Sequence, residues 1–199
     1  MARTGRRRGG GDTREAIRTA ARRQFAEHGY EGATIRGIAA DAGVDPALVM
    51  HFFGSKERLL LAGVEWPFDP DEAVPRLLAG KRSQAGERLV RLFVTTWDDE
   101  AGRNPIVALL QTALSQQSAQ RPFRDFLTKR FFGPLTEGLR VDHPELRGNL
   151  AASQLVGLGI IRYVVRFEPL ASLDSEDLIR LVAPTIQRYL TGRLPAPVV

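Results

Sequence analysis

Apolar residues recur every three or four positions along most of the chain. The first two such stripes along the chain consist of Ile17, Ala21 and Phe25, and of Ile35, Ile38, Ala39 and Ala42. This spacing matches the 3.6-residue period of an amphipathic α-helix, and no stretch shows the two-residue alternation of a strand. The pattern therefore predicts an all-α protein.

Capping residues and glycines predict four helices in the N-terminal third, at about 12–28, 34–42, 45–53 and 55–66. Asp12, with Glu15 three residues later, resembles a capping box, and Gly29 suits a left-handed helix end. Asp45 can cap the third helix, and Pro46 fits its first turn because the missing N–H has no partner there. The result is two short helices joined by a tight turn.

Further helices are predicted at about 71–79, 84–98, 104–118, 122–139, 144–167 and 174–191. Breaks are expected at 80–83, 102–104, 120–122, 141–144 and 168–174. The stretch 66–70 contains two prolines and is the best candidate for a domain boundary. We therefore expect an arm at residues 1–11, a small domain at 12–66 and a second domain at 67–199.

Composition narrows the class of protein. The 199 residues contain no cysteine, which excludes disulfide scaffolds, thiolate zinc sites, iron–sulfur clusters and thiol nucleophiles. The longest apolar stretch, residues 155–165, is interrupted by Arg162, whereas a membrane span needs about 20 residues. The N-terminus has no apolar segment of a secretory signal. We expect a cytoplasmic protein with no membrane partner.

The formal net charge is +5, and four arginines lie within residues 1–8, where there is no acidic residue. Such an arm suits contact with phosphates or with a DNA minor groove. A solubilising, unstructured terminus would have the same composition.

Residues 34–53 have the size and spacing of a helix-turn-helix, whose second helix lies in the DNA major groove. On a helical wheel, Leu48, Val49 and Phe52 form one side of the second helix. The other side is formed by Pro46, Ala47, Met50 and His51. Small side chains on a free face would let the helix approach base edges. Two short helices packed in a core would give the same spacing, so this pattern alone leaves both interpretations open.

Residues 33–57, ATIRGIAADAGVDPALVMHFFGSKE, closely resemble the DNA-binding domain of the TetR/AcrR family of bacterial transcriptional regulators. The similarity extends back through Ala20, Ala21, Phe25, Gly29 and Tyr30 and covers about residues 13–62. It implies a homodimer of all-helical subunits, each with a DNA-binding domain at 12–66 and an effector-binding and dimerisation domain at 67–199. Most members repress transcription and release DNA when a small-molecule effector binds. For this chain we expect a palindromic operator, because a two-fold dimer matches two half-sites, and an effector that is largely apolar. We expect no cofactor.

By that resemblance, phosphate contacts are expected from Thr34, Lys56 and an aromatic residue near Phe52. Contacts with bases or grooves are expected from Arg36, Pro46, Ala47, Met50 and His51. Met50 replaces a tyrosine whose hydroxyl binds phosphate in many members, and Ala47 replaces a common glycine. These two differences leave the operator sequence open.

The last two long helices are the expected dimer interface. Residues 150–167 are apolar nearly all round, with Gly157 and Gly159 permitting close helix approach. The last helix has apolar residues on two faces, Leu178, Val182 and Tyr189 on one and Ile179, Ile186 and Leu190 on the other. A helix with two apolar faces has two partners. Both helices could instead be central helices of a monomer.

The candidates for an effector pocket are Phe93, Trp97, Leu110, Phe126, Phe131, Arg162 and Tyr163, because pockets combine apolar walls with a few polar anchors. Ordinary core packing also explains the aromatic residues. Arg162 needs a partner inside its apolar run, which could be an acid such as Asp125 or an anionic effector. Its side chain could equally extend to the surface.

An enzyme is the competing class. The acidic runs 69–72 and 98–100 could supply carboxylates, but they lie at helix ends, where such residues are usually solvated. His28, His51 and His143 lack metal-ligand spacing, and no serine-hydrolase or phosphate-loop motif occurs. Gly157 and Gly159 lack the third glycine and the strand of a dinucleotide fingerprint. We therefore expect no enzymatic activity and no metal; a pure protein-interaction module is the third class.

Overall fold

The computed structural model describes residues 10–63, 68–115 and 117–195. These ranges consist of helices and connecting turns without a strand, so the predicted all-α class is confirmed. None of the helices in the described ranges combines the length and the apolarity needed to cross a bilayer. The arginines of the predicted arm at 1–8, and Trp66 and Pro67 of the predicted boundary, lie outside the described residues.

The chain divides into two compact units. The first contains the helices α1 (Gly10–Gly32), α2 (Ile35–Ala42), α3 (Pro46–Phe53) and α4 (Lys56–Gly63), and residues 109–122 group with it. Its core combines apolar residues from all four helices: Ile17, Ala20, Ala21, Ile38, Ala39, Val49, Phe53 and Leu59. The helices are thus held by the apolar stripes seen in the sequence.

The second unit contains the remaining helices. These are α5 (Pro70–Leu78), α6 (Ala85–Asp98), α7 (Glu100–Ser115) up to residue 108, α8 (Gln117–Phe126) from residue 123, α9 (Gly133–Gly138), α10 (Pro144–Gly159) and α11 (Ser175–Thr191). Helices α6 and α11 pack so closely that a Cβ on Gly86 would lie 2.5 Å from the backbone nitrogen of Gln187. The Gly86 N–H also donates to Gln187 Oε1 at 2.7 Å.

Two predicted breaks are wrong. Residues 102–104 lie inside α7, which begins at Glu100 because Asp99 Oδ1 accepts from the N–H of Ala101 at 3.2 Å. Residues 120–122 lie inside α8. One glycine or proline costs a helix about 1 to 3 kcal/mol. Burial along the rest of α7, including Leu109 and Leu110, can offset that cost.

Helix ends also differ from the prediction. Helix α1 begins at Gly10 rather than Asp12, and it continues to Gly32 across Gly29, whose φ of 66° interrupts the helical backbone. The predicted helices 122–139 and 144–167 contain π-helical turns, at Leu127–Phe132 and Ile160–Val164. In the second of these, the N–H of Val165 donates to the carbonyl of Ile160, five residues earlier, at 2.9 Å. Hydrophobic periodicity does not reveal such a local change in pitch.

Candidate nucleic-acid interface and effector site

Backbone capping fixes both ends of α3. Gly43 adopts a left-handed conformation, with φ of 66°, in the turn before the helix. Asp45 Oδ1 then accepts from the N–H of Ala47 at 2.7 Å, and Pro46 occupies the first turn. After Phe53, the N–H of Gly54 donates to Met50 O at 2.8 Å. These caps agree with the sequence prediction.

Helix α3 has one buried and one free side. Val49 and Phe53 are buried in the core of the first unit, and Leu48 and Phe52 are half-buried. The four residues predicted to face outward, Pro46, Ala47, Met50 and His51, are all exposed, Met50 to 42%. The His51 ring lies edge-on to Phe52, with centroids 5.6 Å apart. The free side of α3 therefore has only small side chains in its first turn, and further along it carries the imidazole of His51.

The hydroxyls of Thr34 and Ser55 cap the helices that follow them. Thr34 Oγ1 accepts from the N–H of Gly37 at 3.0 Å, and Ser55 Oγ accepts from that of Arg58 at 3.2 Å. Each of these hydroxyl oxygens already accepts a hydrogen bond, but its O–H can still donate one to another group. Because helix starts are electropositive, both are suited to an anionic phosphate.

Lys56 is positioned by a contact that the sequence analysis missed. Its Nζ lies 4.4 Å from the centroid of the Tyr30 ring. The Tyr30 hydroxyl in turn donates to Glu57 Oε1 at 2.6 Å. Tyr30 is one of the residues that carry the family resemblance, but its distance of 26 positions from Lys56 gives no periodic signal of contact.

The charge beside α2 is partly balanced. Arg36 is exposed on this helix. Near the end of the helix, Asp41 pairs with Arg23 at 2.8 Å and accepts from Gln24 Nε2 at 2.8 Å. The hydrogen bonds from Arg23 and then Gln24 hold the pKa of the Asp41 carboxyl below its ordinary value. This carboxylate therefore has its charge compensated before any polyanion approaches.

The structure brings only some of the predicted pocket residues together. The rings of Phe93, Trp97 and Tyr163 form one cluster, with centroids 5.4 to 6.4 Å apart. Phe131 packs instead against Phe68 and Phe132. Phe126 is half-buried in α8. Leu110 is buried in the first unit, whereas the other six candidates belong to the second.

Arg162 does not pair with Asp125 and does not reach the surface. Only 7% of its area is exposed, and its Nη1 and Nη2 donate to the carbonyls of Leu170 and Leu173. Asp125 forms its ion pair with Lys129. The chain after α10 folds back over the guanidinium, so main-chain oxygens accept its hydrogen bonds where the sequence allowed an acid such as Asp125.

Two cavities of the second unit are lined entirely by residues that the structure describes. One, of about 480 Å³, lies between the π-helical turn 127–132, α9 and the start of α10, and none of the predicted pocket residues line it. The other, of about 230 Å³, is lined in part by Arg162 and Tyr163. Among the residues that the structure describes, no group of three His, Asp or Glu is arranged to hold a metal ion.

Two family profiles match the chain. The profile of the bacterial regulatory proteins of the tetR family matches residues 17–62. The profile of the tetracyclin repressor-like C-terminal domain matches residues 83–190. The first covers the capped helices α2 and α3, and the second covers most of the second unit.

Relatives support the same assignment. A crystal structure of a TetR-family regulator from Streptomyces coelicolor has 37% identity and a TM-score of 0.69, covering 94% of this chain and 99% of that one. The transcriptional regulator BetI of Rhizobium meliloti is 28% identical, covering 92% of this chain and 94% of that relative. The repressor AcnR of Corynebacterium efficiens is 49% identical over 51 residues, but the match spans only 27% of its length.

Proposed function

The chain belongs to the TetR family of bacterial DNA-binding transcriptional regulators, and from this premise we propose that it is a homodimeric repressor released from a palindromic operator by a small-molecule effector. Members of this family bind DNA and small-molecule effectors, typically as dimers. They are transcriptional regulators and generally not enzymes. We extend this to the present chain, which we propose to act without catalysis in the bacterial cytoplasm, where its DNA lies.

The free side of α3 carries the proposal for DNA binding. Pro46, Ala47, Met50 and His51 are exposed together on a helix whose other side is anchored in a core. Pro46 and Ala47 would allow close approach to base edges, and His51 would donate to a base acceptor. Met50 offers no hydroxyl for a phosphate.

Phosphate contacts would come from the residues around this helix. Thr34 and Ser55 lie at helix starts, Lys56 adds a full charge beside the second, and Arg36 is exposed on α2. The half-buried ring of Phe52 fits a packing contact against the sugar–phosphate chain. Contacts of this kind position the protein, whereas base contacts specify the sequence.

Exposed apolar side chains support dimerisation through α10 and α11. Leu181 on α11 is 68% exposed, and Leu146, Val164, Val165 and Phe167 are each about half exposed. A Cβ on Gly157 would meet no atom within 4 Å, so its surface is open to another helix. Burying this surface against a second copy would stabilise a dimer. It differs from both apolar faces named from the sequence, since Leu178 on one and Ile186 on the other are fully buried in the subunit.

Effector binding in the second unit would act only through a difference in affinity between the DNA-binding and the released state. Phe93 and Trp97 are buried, so Tyr163, the half-buried member of their aromatic cluster, is the apolar side chain that we propose for this contact. Phe126, Phe131 and Leu110 stay candidates from the sequence alone.

The test is selection of fragmented genomic DNA at physiological salt, followed by sequencing of the retained fragments. The protein is purified under denaturing conditions and refolded, which removes any ligand bound in the cell. We expect a shared palindrome with half-sites about 34 Å apart, as a two-fold dimer requires. A Lys56→Glu variant, whose negative charge would repel phosphate, is the control and should retain no shared site. Retention of no common sequence by the refolded wild type would refute the proposal.

A further inference from the structure

A small cavity beside the π-helical turn Ile160–Val164 is lined mainly by charged residues. Its volume is about 230 Å³, and its walls are formed by Arg103, Arg162, Tyr163, Arg166, Glu168 and Ala171. Three arginines face one glutamate, so the wall carries a net positive charge. A cavity of this size accommodates a small molecule or one charged group of a larger one.

Arg162 is the buried member of this wall. Its Nη1 and Nη2 donate to the carbonyls of Leu170 and Leu173, but these oxygens carry no formal charge. Its Nε is buried and has no hydrogen-bond partner among the described residues. A buried guanidinium whose partners are neutral and whose Nε has no partner lacks a counter-charge, which is costly unless an anion supplies it.

Two of the guanidinium groups, those of Arg162 and Arg103, lie against the Tyr163 ring. The Cζ atoms of Arg162 and Arg103 lie 5.2 and 5.9 Å from its centroid. Arg103 is fixed further because its Nη1 donates to Trp97 O at 3.0 Å. Two arginines positioned in advance lose less side-chain entropy when they bind a ligand.

Arg166 supplies the third positive charge. Its backbone is left-handed, with φ of 59°, an uncommon conformation for a residue with a side chain. It has no ion pair within the part of the chain that the structure describes, and its side chain is exposed. Such strain at a non-glycine residue is frequently found at ligand sites.

The acidic groups nearby are already engaged. Glu168 Oε2 accepts from the hydroxyl of Ser172 at 2.6 Å and from its N–H at 3.3 Å. Asp98, beyond the Tyr163 ring, accepts from the Tyr163 hydroxyl at 2.8 Å and from Ser175 Oγ at 2.6 Å. Neither carboxylate forms an ion pair with Arg103, Arg162 or Arg166 in the described structure.

We propose that this cavity binds an oxyanion, a carboxylate or phosphate group, and that this group anchors the effector. Guanidinium groups match the planar geometry and paired oxygens of carboxylate and phosphate. The half-buried ring of Tyr163 lines the cavity and is backed by the buried rings of Phe93 and Trp97, so Tyr163 would then contact an apolar remainder of the ligand. The effector role rests on the proposed function, whereas the binding of an oxyanion does not.

Calorimetric titration at constant ionic strength tests the binding step. The probes are inorganic phosphate and succinate, which separate the two oxyanions, and succinamide, a neutral analogue of succinate. We expect at least one anion to bind with a dissociation constant of about 1 mM or tighter, and succinamide not to bind. Absence of binding by both anions up to about 10 mM, or equal binding of succinamide, would overturn the proposal.

Two variants assign the binding to this cavity. Arg166→Ala removes an exposed side chain, so the fold should persist, and it should weaken anion binding about tenfold. Arg103→Ala should act in the same direction. Arg76→Ala removes an equal charge from an exposed position on α5, outside the cavity, and should leave the affinity unchanged. Equal weakening by Arg76→Ala would mean that only overall charge matters, and the proposal would fail.

A DNA titration separates this inference from the proposed function. On a fragment retained in the selection, the anion that binds should lower DNA affinity in the wild type and have about tenfold less effect in Arg166→Ala. If the anion binds without changing DNA affinity, the effector role is wrong. If the protein binds no DNA at all, the proposed function fails, while calorimetry still decides whether the cavity binds an oxyanion.

Discussion

The ammonium group of Lys56 lies over the face of Tyr30, 4.4 Å from the ring centroid. The ring attracts the cation and restricts a side chain that would otherwise lose much entropy on binding DNA. The hydrogen bond from the Tyr30 hydroxyl to Glu57 fixes the ring itself. The end of α1 therefore helps to orient the first residue of α4.

Replacing Lys56 with alanine should weaken binding to operator and random DNA alike, because a phosphate contact carries no sequence information. The slope of log affinity against log salt should become shallower by about one for each phosphate that the protein no longer neutralises. Fluorescence anisotropy over a salt series measures both effects. Lys81→Ala, an exposed lysine in the second unit, is the control. An unchanged slope in Lys56→Ala would argue against a phosphate contact.

Replacing His51 with alanine should reduce the preference for operator over random DNA more than it reduces affinity for random DNA. The reason is that His51 is exposed on the free side of α3 and can donate to a base acceptor. Competition binding with both DNAs gives the two affinities, and the ratio should fall about tenfold or more, as expected when one base is no longer recognised. An equal decrease on both DNAs would contradict base recognition.

Replacing Gly86 with alanine should destabilise the second unit. The new Cβ would lie 2.5 Å from the backbone of Gln187, which cannot move without displacing α11. Overpacking of this kind costs about 1 to 3 kcal/mol in the free energy of unfolding, measured by chemical denaturation. Gly11→Ala, where a Cβ meets nothing within 4 Å, is the matched control and should be neutral or slightly stabilising. Equal stability of the two variants would refute the predicted clash.

Replacing Leu181 with glutamate should convert the proposed dimer to a monomer, because it buries an unpaired charge in the interface. Sedimentation velocity distinguishes the dimer from the monomer by their sedimentation coefficients. Leu114→Glu places the same charge at a residue that is 77% exposed in the first unit, and it should remain dimeric. A dimer that survives in Leu181→Glu would exclude this face of α11 from the interface.

The free energy of unfolding should decrease at alkaline pH because the pKa of Tyr163 is raised in the folded state. Burial, and then the hydrogen bond to Asp98, raise its pKa from 10.0 to about 12. The folded state therefore retains a proton that the unfolded state loses. The stabilisation is complete below pH 10 and is lost as the pH rises through 12. Denaturation at several pH values, compared with Tyr163→Phe, should show a smaller decline in the variant; an identical decline would contradict the raised pKa.

Local signals predicted the first unit well. Thr34, Gly43 and Asp45 act through hydrogen bonds and backbone conformations that span at most five residues, so the sequence displays them directly. The outward side of α3 followed from helical periodicity alone. The predicted start of α7 at about residue 104 was wrong because Asp99 caps the helix four residues earlier.

Contacts between distant residues could not be predicted in this way. Arg162 was correctly identified as needing a partner, but its partners are carbonyls eight and eleven residues along the chain, and any residue type supplies a carbonyl. Leu181 lies in none of the apolar stripes assigned to the last helix, yet it is the most exposed large apolar side chain of α11. The position of Lys56 over Tyr30 likewise depends on how α1 and α4 pack.

The residues that hold α3 in place are largely different from the residues that it exposes on its free side. Asp45, Val49, Phe53 and Gly54 hold the helix, and none of them lies among the four outward residues. Pro46 contributes to both roles, but Ala47, Met50 and His51 make no contribution to the core. These three positions can be randomised together on a rigid scaffold. Substitutions on this side of α3 can therefore change the operator that the protein prefers. The second unit, and with it the response to a ligand, would stay the same.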